Sequence, residues 1–212
     1  FFTCPQVGLT HDWAVTRDHV VFDVQPLIVN HEGMKRGEDF YVYDPSKPAM
    51  WGIMRRDGSA SDMRWFKTRQ MTGHIMSSYS EGNTVIVYAM MSRGNSFTFF
   101  RDIHGAWSPR EQSFSTLTRM VFDLDGDSDE PTITEFAGAI GEMPRIDPRF
   151  NMERYRFGFC KSAQGIARID WDNGVMRQHQ TPAGGNSQEA LFVPKGPDAR
   201  EGEGYLLSMV NF

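Results

Sequence analysis

Apolar and polar residues alternate along much of this chain with a period of two, and little of it has the period of about 3.6 that is typical of helices. In the segment 117–124, Met120 and Phe122 fall on one face of an extended chain. Arg119 and Asp123 fall on the opposite face. This pattern predicts a strand with one face buried.

Turn-forming residues separate the apolar runs. The alternating segment 167–171 is followed by Asp172-Asn173-Gly174, residues that accept a positive φ, and then by Val175. This order predicts a β-hairpin. Further turn clusters rich in Asp, Gly, Pro and Ser fall at 44–48, 57–59, 125–127 and 196–198.

The last run of the chain, Tyr205–Phe212, is apolar and is predicted to be a core strand. Many short strands joined by turns indicate an all-β fold built from antiparallel meanders. They allow a sandwich, a barrel or a propeller, and periodicity alone does not choose among these.

Composition limits the class of protein. A chain of 212 residues with 40% hydrophobic and 23% charged residues can bury one sizeable core. Its formal net charge of -5 argues against a nucleic-acid partner, because binding to phosphates requires a basic surface.

The cysteines and the chain ends bear on location. Cys4 and Cys160 are the two cysteines, too few for a disulfide framework or a cysteine zinc site, which weakly favours a reducing, cytoplasmic compartment. The chain begins at Phe1 without an initiator methionine, so we expect an internal fragment. Neither a signal peptide nor an apolar stretch of the ~20 residues that span a bilayer is visible, and no transmembrane segment is expected.

Two histidines stand at the start of apolar, β-type runs. His11 precedes Trp13–Val15, and His74 precedes the β-branched run Thr84–Tyr88. A single histidine at a strand end is more often a hydrogen-bonded structural group than a metal ligand. The sequence around both histidines favours the metal-ligand interpretation instead.

Five segments occur in a fixed order along the chain. They are His11-Asp12-Trp13-Ala14-Val15-Thr16, His74 with Glu81-Gly82, Glu142-Met143-Pro144-Arg145-Ile146-Asp147, Gln188-Glu189-Ala190-Leu191-Phe192-Val193-Pro194, and Glu203-Gly204-Tyr205-Leu206-Leu207-Ser208. Together they resemble the carotenoid cleavage oxygenase family, which includes the lignostilbene dioxygenases. The chain departs mildly from the family at 77–80, where the family has residues like Asn-Ala-Tyr-Glu.

This resemblance implies a seven-bladed β-propeller, of which the chain would supply roughly half. Residues 1–212 would form a partial propeller domain that lacks its N-terminal blades and its C-terminal end. An open half-propeller exposes faces that further blades would cover, so we expect the fragment to be poorly soluble.

The resemblance also implies a non-heme iron site with four histidine ligands and one Fe²⁺ per full-length subunit. His11 and His74 would be the second and third ligands and thus the catalytic residues. Glu142 would orient His74, and Glu189 would orient a fourth histidine beyond Phe212. Neutral imidazole suits iron, and a carboxylate on the other ring N–H fixes the ring. No organic cofactor is expected.

The remaining histidines, His19, His31, His104 and His179, occupy no ligand position of the family and are expected to be surface or structural residues. Glu81, beside Gly82, is expected to be a polar residue of a hairpin turn.

The implied activity is oxidative cleavage of a C=C double bond by dioxygen, giving two carbonyl products that each receive one oxygen atom. The substrate would be a small hydrophobic alkene, either a stilbenoid or phenylpropenoid or else an apocarotenoid. Segments 64–67 and 95–100 resemble those of lignostilbene-type members and favour stilbenes.

Three alternatives remain open. The first is a catalytically inactive propeller that serves as an interaction module. The second is a hydrolytic metal propeller such as a lactonase, against which the histidine pattern speaks. The third is an isomerohydrolase of the same family.

Overall fold

β-Strands account for most of the regular structure. The computed structural model describes residues 2–212, and within that range it contains sixteen strands, one short α-helix and three 3₁₀ turns. The strands form antiparallel sheets that follow one another along the chain. The prediction of an all-β fold made of meanders is confirmed.

The first sheet has four strands in the order β1-β2-β5-β6. An excursion between β2 and β5 carries a two-stranded ribbon and the α-helix, α1. The bounds are β1 Trp13–Val15, β2 His19–Val24, β3 Leu27–Val29, α1 His31–Met34, β4 Tyr41–Tyr43, β5 Ala49–Arg55 and β6 Arg64–Thr68.

The second sheet is a four-stranded meander in the order β10-β9-β8-β7. Its strand β9 contains the alternating segment read from the sequence, with Met120 and Phe122 fully buried. The bounds are β7 Met71–Glu81, β8 Thr84–Ser92, β9 Thr116–Asp123 and β10 Thr132–Ile140.

The third sheet is a meander in the order β11-β12-β13-β14, and a two-stranded sheet, β15-β16, follows it. The predicted hairpin joins β13 to β14, and Gly174 has a φ of 64° at its turn. The bounds are β11 Glu142–Ile146, β12 Phe157–Ser162, β13 Gly165–Asp170, β14 Val175–Gln180, β15 Asn186–Pro194 and β16 Gly204–Asn211.

The first strands of successive sheets lie side by side. β7 packs against β1 on one side and β11 on the other, and β11 packs against β15. The two larger of three buried apolar clusters fill the spaces between the sheets. One contains Trp51 and Phe122, and the other contains Tyr88 and Ile169. Burial of each such large apolar side chain contributes roughly 1.5–3 kcal/mol.

The prediction that the closing run forms a core strand is half wrong. The run forms β16, in which Leu206 and Val210 are partly buried, but its other apolar side chains face outward: Leu207 is 58% exposed and Met209 is 74% exposed. β16 pairs only with β15 among the described residues, and Leu191 of β15, the cross-strand partner of Leu207, is also 57% exposed. Hydrophobicity predicted the strand correctly but not its surroundings.

None of the helices in the described part of the chain is long and apolar enough to cross a bilayer.

Candidate metal centre

The residues singled out in the sequence lie on, or next to, the first strands of successive sheets. His11 lies two residues before β1, His74 lies in β7, Glu142 begins β11 and Glu189 lies in β15. The pairing register of β7, β11 and β15 is interrupted near these residues, between 72 and 77, between 142 and 145, and between 187 and 190. Such bulges redirect a side chain out of the regular alternation and are common beside active sites.

His11 and His74 meet although they are 63 positions apart. Their Nε2 atoms are 3.4 Å from each other, and their ring centroids are separated by 5.1 Å. Phe97 places its ring edge to face against His11 at 5.0 Å, so the histidine pair has an aromatic side chain on one flank. The two predicted ligands are therefore neighbours, with a chain-distant aromatic residue beside them.

Glu142 contacts the other ring nitrogen of His74. Its Oε2 lies 2.8 Å from His74 Nδ1. Because an ionised carboxylate can only accept a hydrogen bond, Nδ1 carries the proton and donates it, which leaves the Nε2 lone pair directed towards His11. The same hydrogen bond raises the pKa of His74 above its ordinary value, more than partial burial lowers it.

Gly73 makes room for this contact. A β-carbon added at Gly73 would lie 2.0 Å from Oε1 of Glu142, closer than real contacts allow. The residue before His74 is thus required to be small so that the Glu142 carboxylate can reach the imidazole. Gly73 was not predicted from the sequence to have a role, although a glycine inside a strand is a recognised sign of a close approach.

Asp12 fixes the relative position of the two histidine segments and was likewise not assigned a role from the sequence. Its Oδ2 accepts a hydrogen bond from the backbone N–H of Ile75 at 2.9 Å, and its Oδ1 accepts one from the N–H of Trp13 at 2.8 Å. The residue after His11 therefore holds the residue after His74.

Glu189 contacts Arg145 and neither histidine. The two side chains form an ion pair between β15 and β11, and both are substantially exposed. Its predicted role in orienting a fourth histidine concerns a residue outside this sequence and stays a prediction.

Two histidines provide an incomplete donor set for a metal ion. Within residues 2–212, no group of three or more His, Cys, Asp or Glu side chains is arranged to hold one. The pair nevertheless fits such a role. Two nitrogens that each lie about 2.1 Å from one ion are ~3.0–3.4 Å apart for angles of ~90–110°. The residues present thus fit half of a four-histidine site.

The other histidines lie away from this pair. His31, His104 and His179 are exposed. His19 begins β2 and is 1% exposed, so of the two expected roles, surface or structural, the structural one applies to it. Burial lowers the pKa of His19, and neither of its ring nitrogens has a hydrogen-bond partner among the described residues.

This chain is similar to several curated proteins. The chain is 30% identical over 228 residues to an isoeugenol monooxygenase of Pseudomonas putida, an alignment that covers 99% of this chain and 48% of the relative. It is 28% identical over 233 residues to lignostilbene-α,β-dioxygenase isozyme III of Sphingomonas paucimobilis, with the same coverage. The chain thus spans about half the length of the curated relatives it matches.

A solved structure confirms the fold. The crystal structure of Pseudomonas brassicacearum lignostilbene dioxygenase superposes on 99% of this chain with a TM-score of 0.91 at 29% identity, and the match covers 48% of that protein. The successive sheets are blades of a β-propeller, of which this chain is roughly half, as the resemblance implied.

The family model described as RPE65, retinal pigment epithelial membrane protein, matches residues 1–212. With the order of the five segments and the paired histidines of β-propeller blades, this match shows that the chain belongs to the RPE65 family, the family of the carotenoid cleavage oxygenases.

Proposed function

We propose that the full-length protein carrying this chain is an Fe²⁺-dependent dioxygenase that cleaves a C=C double bond, with His11 and His74 as two of its iron ligands. The observation that supports this most directly is the convergence of the two Nε2 atoms at 3.4 Å, with His74 held by Glu142. Iron bound there would supply the one-electron chemistry that a reaction with dioxygen requires.

The protein side chains have separate tasks in this proposal. Glu142 holds His74 in the Nδ1–H tautomer, so that Nε2 is available as a ligand. Phe97, edge to face against His11, forms an apolar wall at which an alkene conjugated to an aromatic ring can lie. Glu189 would orient a further histidine from the rest of the protein.

The proposed substrate is a stilbenoid or phenylpropenoid, with an apocarotenoid as the second possibility. The two relatives reported above are named for isoeugenol and lignostilbene, both alkenes conjugated to a phenol. In the balanced reaction one alkene and one O₂ give two carbonyl compounds, and each product receives one oxygen atom.

A His74→Ala variant of the full-length protein tests the ligand assignment. The protein is purified anaerobically, loaded with Fe²⁺ and assayed by loss of the absorbance of resveratrol, a lignostilbene or an apocarotenal. We expect the variant to lose both iron and turnover, and His179→Ala, at an exposed histidine, to keep both. Normal iron content and turnover in His74→Ala would reject the assignment.

Labelling with ¹⁸O₂ tests the reaction type, since one of the relatives is named a monooxygenase and the other a dioxygenase. We expect label in both carbonyl products when exchange with water is suppressed by rapid reduction to the alcohols. Label in only one product would reject the proposed dioxygenase stoichiometry.

A further inference from the structure

Gln25 connects the two histidine segments, one through its backbone and the other through its side chain. Its backbone forms two hydrogen bonds with Leu9, two residues before His11: the N–H of Gln25 donates to the Leu9 carbonyl at 2.7 Å, and the N–H of Leu9 donates to the Gln25 carbonyl at 3.1 Å. Its side-chain Oε1 accepts a hydrogen bond from the N–H of Thr72, two residues before His74, at 3.1 Å.

The bulge in β7 explains why the Thr72 contact matters. The register of β7 against β8 is interrupted between Thr72 and Ile75, so the strand around His74 is not held by regular pairing. The N–H groups that flank His74 are bound instead by side chains from the His11 side, Thr72 by Gln25 and Ile75 by Asp12. Gln25 and Asp12 thus bracket His74 from both ends.

Asp23 fixes the orientation of the Gln25 amide. Thr72 N–H can only donate, so Oε1 of Gln25 faces it and Nε2 faces away. That Nε2 donates to Oδ2 of Asp23 at 2.9 Å. Gln25, Asp23 and Thr72 are all fully buried, which excludes water as a substitute partner.

The surroundings of Asp23 disfavour its charged form. Burial, and to a lesser extent the negative charge of Asp12, raise its pKa to about 7 against the lowering effect of the Gln25 hydrogen bond. Its Oδ1 has no hydrogen-bond partner among the described residues. An uncharged amide of the same shape should therefore replace this carboxyl with little loss.

We infer that Gln25 and Asp23 are positioning residues for the His11–His74 pair, with Gln25 joining the two segments and Asp23 orienting its amide. This inference rests on the proposed metal site, although neither residue touches the metal ligands themselves. An apolar side chain at position 25 would leave the Thr72 N–H without a partner at the bulge and let His74 move relative to His11.

The test uses the full-length protein, freed of metal and titrated with Co²⁺, whose visible absorption reports ligand geometry. We expect Gln25→Met, which keeps the length of the side chain, to weaken Co²⁺ binding about tenfold and to change the spectrum. Asp23→Leu should do the same, whereas Asp23→Asn should restore most of the affinity and the wild-type spectrum.

Thr118→Val is the matched control, because Thr118 is also buried, and among the described residues its hydroxyl bonds only to the nearby carbonyl of Thr116 in β9. It should leave Co²⁺ affinity and spectrum unchanged. Folding of every variant is followed by circular dichroism. Wild-type affinity and spectrum in a folded Gln25→Met protein, or in Asp23→Leu if Gln25→Met does not fold, would overturn the inference.

The same titration separates this inference from the proposed function. If His74→Ala binds Co²⁺ like the wild type, the proposed metal site is wrong. If His74→Ala loses binding while Gln25→Met and Asp23→Leu keep it, the site is right and only the positioning role is wrong.

Discussion

Glu142 and His74 are 68 positions apart, and the carboxylate of the first lies 2.8 Å from Nδ1 of the second. The contact joins the third sheet to the second, since Glu142 begins β11 and His74 lies in β7. It determines which nitrogen of His74 carries the proton, and this determines what the imidazole can bind.

Glu142→Gln should therefore weaken iron binding. The glutamine keeps the shape of the side chain but loses the charge that strengthens the bond to Nδ1–H, and such outer partners typically contribute 10–100-fold to metal affinity. We expect roughly a tenfold loss, measured by competition with a chelator. Glu81→Gln, at the exposed end of β7, should have no effect. Equal affinities in the two variants would show that Glu142 does not support the site.

Gly73→Ala should disturb the same contact from the other side. The new methyl group would collide with Oε1 of Glu142, so the carboxylate must leave His74, and overpacking costs ~1–3 kcal/mol of stability. Iron affinity should fall as far as in Glu142→Ala, and the double variant should be no worse than Glu142→Ala alone. Gly196→Ala is the control, because no atom lies within 4 Å of its added β-carbon. Additive losses in the double variant would contradict this explanation.

Asp170 should make the third sheet sensitive to acid. Hydrogen bonds from Arg156, at 2.8 Å to each carboxylate oxygen, lower its pKa from 3.8 to about 2. A lowered folded-state pKa stabilises the protein above the unfolded-state value, and this stabilisation is lost as the pH falls towards 2. Urea unfolding should therefore show Asp170→Asn to be less stable than wild type at pH 5, with a smaller difference at pH 2.5.

Asp172→Asn is the control for that measurement. Asp172 is half-exposed, and its nearest cation, on Arg154, is 3.8 Å away. Its replacement should change stability little at either pH. If the difference in the free energy of unfolding between wild type and Asp170→Asn did not change with pH, the ion pair would be excluded as its cause.

The outward face of β16 should limit the solubility of the chain expressed as residues 1–212. Leu207 pairs with Leu191 of β15, and both are more than half exposed. Replacing Leu207 and Met209 with lysine should raise the soluble yield without loss of the β-sheet signal in circular dichroism. Phe192→Lys, on the buried face where Phe192 stacks on Phe159, should unfold the region. Unchanged solubility of the double lysine variant would show that this face does not drive aggregation.

Strand identity could be predicted from the sequence because alternation is a local property. Met120 and Phe122 are buried as their spacing predicted, and Gly174 has the positive φ that its turn required. The propeller itself could not be derived from alternation, because stacking of sheets leaves no local signal. It was predicted from the order of five segments that resemble a family.

The parts that sequence analysis missed depend on distant contacts. The bulge at His74 is a change in hydrogen-bond register, so hydrophobicity does not reveal it. Gly73 has its meaning only through Glu142, and the exposure of Leu207 depends on what packs against β16. Asp23 offered one usable signal, since it is an acidic residue inside the apolar run from Val20 to Val24.

The site residues lie on or near the first strands of different sheets, and this location determines when the site can assemble. Each meander forms from neighbouring stretches of chain, and its strands can pair without the other sheets. His74 and Glu142 lie in different sheets and His11 precedes the first strand of a third, so their contacts exist only after those sheets have docked. The histidine pair thus forms only once the sheets have docked, and damage to either of these two contacts would be felt there even where every strand is intact.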